Sequence, residues 1–245
     1  MTDALSALRA SLADQLAALR GVPVAELPPA LLDITVQRHE LPGGDAYVVQ
    51  PRRWEQLRHE EGGAGRPVPY WARLWPSGRA LARAVAGDPP PAGSRVLELG
   101  CGLALPSLAA ARAGARVLAT DGAPDAVAFA AHVLALNEVE ADVAQASWAA
   151  HGDALVARGP WDVVLAADVL YTRANAEQAA ELLPRLLAPG GEVRLADPER
   201  TGARGLAAVA RTTLTVRTTR VDGVALHVLR ARPDRRPPPR APAAA

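Results

Sequence analysis

From Trp75 onward the chain alternates between short apolar runs and segments with helical spacing, and this alternation limits the fold more than any other feature. WPSGRALARAVAG reads as a helix, SRVLELG as a strand, LPSLAAARAG as a helix, ARVLATD as a strand and APDAVAFAAHVLALN as a helix. ADVAQASW and WDVVLAADVLY follow as strands, then NAEQAAELLPRLLAPGG as a helix and EVRLADP as a strand. Strands apolar on both faces need helices on both sides, so the pattern predicts a doubly wound, mostly parallel α/β sheet. TLTVRTTRVDGVALHVLRAR then supplies two more β-rich runs about Asp222-Gly223, a hairpin signal rather than another crossover helix.

Residues 1–68 are organised differently. Leu5, Leu8, Leu12, Leu16 and Leu19 recur at helical spacing until Gly21, which predicts an amphipathic helix and a candidate docking arm. Ile34 to Pro51 reads as a hairpin about Pro-Gly-Gly, and WEQLRHEEGGAGRP as a short helix running into a loop. The expected organisation is an N-terminal helix and hairpin extension (1–68), one domain (69–232) and a disordered tail rich in Pro, Arg and Ala (233–245). With a net charge of +1, nothing points to nucleic acid or a membrane surface as partner. A lone cysteine, Cys101, excludes an internal disulfide framework and suggests a reducing compartment, with the cytoplasm as the default. His39, His59, His132, His151 and His227 lack paired spacing, so no metal is expected, and HGD at His151 reads as loop.

VLELGCGLALPSLAAARAGARVLATD, Val96 to Asp121, carries the chemistry. In an open parallel sheet the ligand crevice lies at the carboxyl ends of the strands, where Gly100 and Gly102 fall. Glycine there permits a tight turn and close approach of a ligand, and the next helix points its amides at anionic groups. Asp121, ending the following strand, is placed for ribose hydroxyls or, alternatively, as a cap on the helix after it. NAD and S-adenosylmethionine would both use that acid. A dinucleotide fingerprint needs a third glycine at position 105, which is Leu105 followed by Pro106. Glu98 would repel a pyrophosphate yet suit an ammonium group, so the residues favour S-adenosylmethionine.

These residues resemble the first two motifs of the class I S-adenosylmethionine-dependent methyltransferases, and the terminal hairpin is similar to their antiparallel last strand in a seven-stranded sheet. PYWARLWPSGRALARAV (Pro69 to Val85) and ADVLY (Ala167 to Tyr171) resemble the seven-strand protein-lysine methyltransferases. That group includes the enzymes acting on the electron-transfer flavoprotein β-subunit and the nicotinamide N-methylase-like family. The resemblance spans about Pro69 to Arg232. It implies a protein acceptor, with Asp168 orienting the amine and Tyr171 lining its slot. Ala167 would border the cofactor, Trp75 its methionine side, and the helix opening near Ser77 its carboxylate. Asp197 and Arg200, in ADPER, become weaker candidates for substrate contact. Some alternatives remain open: a helix cap for Asp168, a surface ion pair for Asp197 and Arg200, and core anchoring for Tyr70 and Trp71. Two departures stand out: Ala104 replaces a frequent third glycine, and Ser147 precedes Trp148 where many members have an acid. Adenine would then rest on backbone amides and Trp148, which reads equally as a core-edge aromatic. The remaining readings are a small-molecule N- or O-methyltransferase and a non-catalytic cofactor-binding module.

Overall fold

The computed structural model describes residues 2–60, 68–199, 206 and 214–231. Helix α1 (Thr2–Arg20) stops at Gly21, whose φ of +66° leaves the helix. Helix α2 (Pro29–Leu32) leads into strands β1 (Ile34–Leu41) and β2 (Gly44–Pro51), an antiparallel pair forming its own small sheet, and helix α3 (Trp54–Glu60) follows. The alternating part then runs through α4 (Pro76–Gly87), β3 (Arg95–Leu99), α5 (Leu105–Arg112), β4 (Arg116–Asp121) and α6 (Pro124–Leu136). It continues with β5 (Asp142–Gln145), α7 (Trp148–Arg158), β6 (Trp161–Ala167), α8 (Arg173–Leu186) and β7 (Leu187–Asp197). Strands β8 (Leu214–Val221) and β9 (Val224–Ala231) close the described chain.

The large sheet has seven strands in the order β5-β4-β3-β6-β7-β9-β8. Strands β3 to β7 are parallel, and β9, the last in sequence, runs antiparallel to both β7 and β8. The chain winds outward from β3 to β5, then returns to lay β6 on the other side of β3. Their carboxyl ends therefore form the switch point of the sheet. Alternate residues of each strand serve opposite cores. Val96, Val163 and Leu165 pack with α4, α5 and α6, whereas Leu97, Leu99, Val164 and Ala166 pack with α8.

The amino-terminal extension shares that first core. Leu12 and Leu16 of α1 are fully buried in the cluster that contains Phe129 of α6. His132 of α6 meets Ser11 Oγ at 3.1 Å, and Arg20 pairs with Asp125 at the start of α6. The face expected of a docking arm is therefore spent on the chain's own helix.

Three segments depart from the sequence reading, two of them short: DVLY, expected in a strand, follows the end of β6, and LAPGG, expected in a helix, opens β7. ADVAQASW was expected as a single strand and His151 in a loop, but β5 ends at Gln145 and Trp148 opens α7, a helix containing His151. Gly152 obscured it, and its role is to admit a neighbour: a Cβ there would lie 3.2 Å from Leu182 of α8. Residues 61–67 with their three glycines, and the 233–245 tail, lie outside the described residues.

Because α1 is built into the core, Leu16→Ala should lower the unfolding free energy by about 2–5 kcal/mol, the usual cost of emptying a buried leucine site. Urea denaturation followed by circular dichroism would show it as one shifted cooperative transition; an unchanged midpoint would detach α1 from the core.

Candidate active site

Beyond β3 the backbone turns through a left-handed run, with φ of +64° at Gly100, +51° at Gly102 and +54° at Ala104. A Cβ on Gly100 would stand 2.9 Å from Val169 Cγ1, so glycine is needed where the loops after β3 and β6 meet. Ala104, which replaces a frequent glycine, holds the left-handed conformation with its methyl fully buried as the amino-terminal cap of α5. The departure noted in the sequence costs strain at one residue and leaves the turn intact.

Two buried acids fix this turn. Glu98 Oε2 accepts from the Ser107 amide at 2.9 Å and from Ser107 Oγ at 2.5 Å, tying β3 to the first turn of α5. Asp121 Oδ2 accepts from the Gly102 amide at 2.9 Å, and its Oδ1 accepts from the Ala123 amide at 2.9 Å. Asp121 is thus a cap and a bridge together, joining the end of β4 to the glycine turn. Burial raises its carboxyl above the ordinary range against the pull of those amides. Burial also pushes Glu98 up from 4.5 to about 8, with the Ser107 bonds opposing and Asp121 adding to the rise. The Cys101 thiol is pushed well up by burial, which leaves it un-ionised and suits a residue chosen for its size.

These groups open onto a cavity of about 1100 Å³ at the switch point. Around it the fold assembles Glu98, Gly100, Gly102 and Asp121 from one side, and Ser147, Trp148 and Ala167 from the next strands. Trp75, Asp168 and Tyr171 complete the wall, so the glycine turn, Asp121, the Ser147–Trp148 pair and the Ala167–Tyr171 segment line one space. Ser77 is buried behind it and its hydroxyl finds no hydrogen-bond partner among the described residues. Trp75 caps α4, donates its indole N–H to the Tyr70 carbonyl at 2.7 Å and meets Trp54 edge-on at 5.9 Å. Tyr70 and Tyr171 are half exposed at the mouth with ring centroids 6.0 Å apart. Trp71 faces the cavity and also anchors the core, 5.1 Å from Phe129.

Asp168 follows β6 at φ +58°, a conformation that bulky residues avoid, and its amide donates to the Ala196 carbonyl at 2.9 Å. It is not the helix cap that one reading allowed. Thr172 caps α8, accepting from the Asn175 amide at 3.0 Å. Asp197 is fully buried at the end of β7 and is not among the residues that line the cavity. Arg200 lies outside the described residues. The α5 terminus also differs from expectation. Pro106 has no amide to give and the Ser107 amide is taken by Glu98, so the first turn is a poor cradle for a pyrophosphate.

Sequence reasoning missed Arg20 and Asp125, which line the cavity as a pair. No signal could have joined residues 105 positions apart.

Comparison with known proteins places these features in a family. The sequence pattern of the family described as lysine methyltransferase matches residues 72–204, more than half of the chain. The chain belongs to the lysine methyltransferase family. Within it, the electron transfer flavoprotein beta subunit lysine methyltransferase of Xenopus laevis is 35% identical over 137 residues, 54% of this chain and 53% of the relative. The Danio rerio protein of the same description is 34% identical over 139 residues, 55% and 52% of the two chains. The chain thus spans about half the length of the curated relatives it matches. Among solved structures, a 16S rRNA methyltransferase of T. thermophilus, in complex with AdoMet and guanosine, superposes with a TM-score of 0.59 at 19% identity. The alignment covers 81% of this chain and 51% of that one. A methyltransferase from Geobacter sulfurreducens gives a TM-score of 0.50 at 20% identity, over 73% and 86%. At these identities both establish the fold: a Rossmann-like methyltransferase sheet.

The raised Glu98 carboxyl gives a pH signature. The folded chain keeps a proton that the unfolded chain loses above 4.5, so this contribution to stability is complete below 4.5 and fades as pH rises to about 8. Glu98→Gln, whose amide oxygen can still accept from Ser107, should remove that slope. Thermal midpoints across the same range should show the native protein falling relative to the variant; parallel curves would mean that Glu98 stays ionised.

Proposed function

We propose that the chain is an S-adenosylmethionine-dependent methyltransferase acting on a lysine side-chain nitrogen of a protein. The observation that carries this reading is the convergence, on one cavity, of the Gly100–Gly102 turn, Asp121 and the Asp168–Tyr171 segment. The residues fit the cofactor. A Cβ on Gly102 would reach 3.4 Å from the Trp71 carbonyl, so the bare backbone leaves room beside the acid that would hold the ribose. Asp121 keeps lone pairs beyond the two that its amides use. When bound, S-adenosylmethionine would supply an electrophilic methyl group on a positively charged sulfur.

The chain's own residues then have three tasks. Asp168, whose backbone is pinned by the Ala196 contact, accepts a hydrogen bond from the incoming amine and directs its lone pair inward. Tyr70 and Tyr171 present ring faces to a cationic side chain at the mouth, where it sheds water before losing its proton. Trp75, fixed through its bond to Tyr70, closes the space between that mouth and the glycine turn. The half-exposed tyrosine pair favours a side chain offered from a protein surface over a fully enclosed small molecule. The protein to try first is the electron transfer flavoprotein β subunit, the substrate named for both relatives. We also propose a cytoplasmic location, the default for a chain whose one cysteine allows no internal disulfide.

Calorimetry should detect S-adenosylhomocysteine binding by the native protein and its loss in Gly102→Arg, where a side chain is forced into a turn at φ +51°. Asp168→Ala should keep that binding and lower methyl transfer by roughly 10²-fold or more. Labelled cofactor with a cell lysate reads the acceptor. The sequence contains no lysine, so methyl-lysine in a discrete protein band comes from another protein. Label confined to small molecules would replace the protein acceptor with a metabolite.

A further inference from the structure

Arg20 enters the cavity from a part of the chain that the family likeness does not touch, since the matched pattern begins at residue 72 and Arg20 is the last residue of α1. It is held firmly. Nε donates to Asp125 Oδ1 at 2.7 Å and a terminal guanidinium nitrogen donates to Oδ2, a two-point pairing that sets the plane of the group. The side chains are only 22% and 9% exposed, so the pair forms wall rather than rim. Asp125 lies in the first turn of α6, which Pro124 opens after the Gly122-Ala123 bend whose Ala123 amide binds Asp121. Asp168 and Tyr171 follow β6, on one side of β3 in the sheet, whereas Arg20 meets the cavity on the other, beside the loop that follows β4 and its last residue, Asp121.

That side needs a recognition group. Where an acid would accept from the amino group of adenine, this chain has Ser147, whose amide faces His151 Nδ1 at 3.2 Å and whose carbonyl accepts from the His151 amide as α7 begins. Adenine also carries ring nitrogens that accept hydrogen bonds and a face that attracts cations. A planar guanidinium suits both, which a carboxylate does not. Resting on the cofactor reading above, we propose that Arg20 is an adenosine-binding residue, delivered by the amino-terminal helix and oriented by Asp125. The helix would then complete the donor site and supply by a cation what Ser147 lacks.

The test is calorimetry on the full chain with two probes, S-adenosylhomocysteine and 5′-methylthioadenosine, which lacks the amino-acid end. Arg20→Ala should weaken both by about ten-fold or more, as expected for a lost charge-assisted contact. Arg20→Lys, charged but without the planar fork, should recover only part of that loss, and Asp125→Asn, which keeps one acceptor for the guanidinium, should weaken both probes by less than Arg20→Ala does. If Arg20→Ala lowers the melting midpoint, the Arg20→Ala/Asp125→Asn double variant removes the stranded charge and should show the same weakening. Unchanged affinity in a folded Arg20 variant would overturn the proposal. So would weakening of S-adenosylhomocysteine alone. Absence of binding by the native protein would instead strike the cofactor reading itself.

Discussion

The site depends on a left-handed turn after the central strand, clamped by two buried carboxylates. Gly100, Gly102 and Ala104 all take positive φ, and a run of that kind persists only when its surroundings hold it. Glu98 holds the far side by binding Ser107, and Asp121 holds the near side by binding Gly102. The two bonds fix the turn between β3 and α5 against β4, so the mouth of the sheet stays open where β3 and β6 part.

The two acids are buried alike but serve differently. Glu98 gives its Oε2 to Ser107 and is pushed toward the neutral form, so it acts mainly as a clasp between strand and helix. Asp121 is held by amides from both neighbours and still faces the cavity, which leaves it available to a hydroxyl-bearing ligand. Charge on the wall is then balanced from outside the turn. Arg20 comes from α1 to pair with Asp125, and it can do so only because Leu12 and Leu16 anchor that helix on α6. The extension is thereby linked to the cavity through ordinary core packing.

Much of this was legible. The alternation of strands and helices was readable because strands buried on both faces stay apolar throughout while the helices keep their 3.6-residue spacing. The placing of the Gly100–Gly102 turn and Asp121 in one crevice was readable because turn and acid are fixed relative to strand ends, whose positions the pattern already marks. The α7 segment was not, since Gly152 looks like a loop residue until Leu182 is seen beside it. The burial of Asp197 was not legible either: its segment ADPER ends a strand as Asp121 does, and only the structure shows it buried at the end of β7, in register with Ala225 of β9.

The sequence by itself determined the layered sheet, the glycine turn and the acid that follows it, because each is local and rests on spacing within one or two elements, whereas the Asp168–Tyr171 segment entered through the family resemblance. Only the tertiary structure decided which residues from distant elements share the cavity. Arg20 meets Asp125 and Tyr70 meets Tyr171 across gaps of about a hundred residues, and no periodicity reports such contacts. They arise from how helices pack on a sheet, where shape and burial choose the partners after the local pattern has been settled.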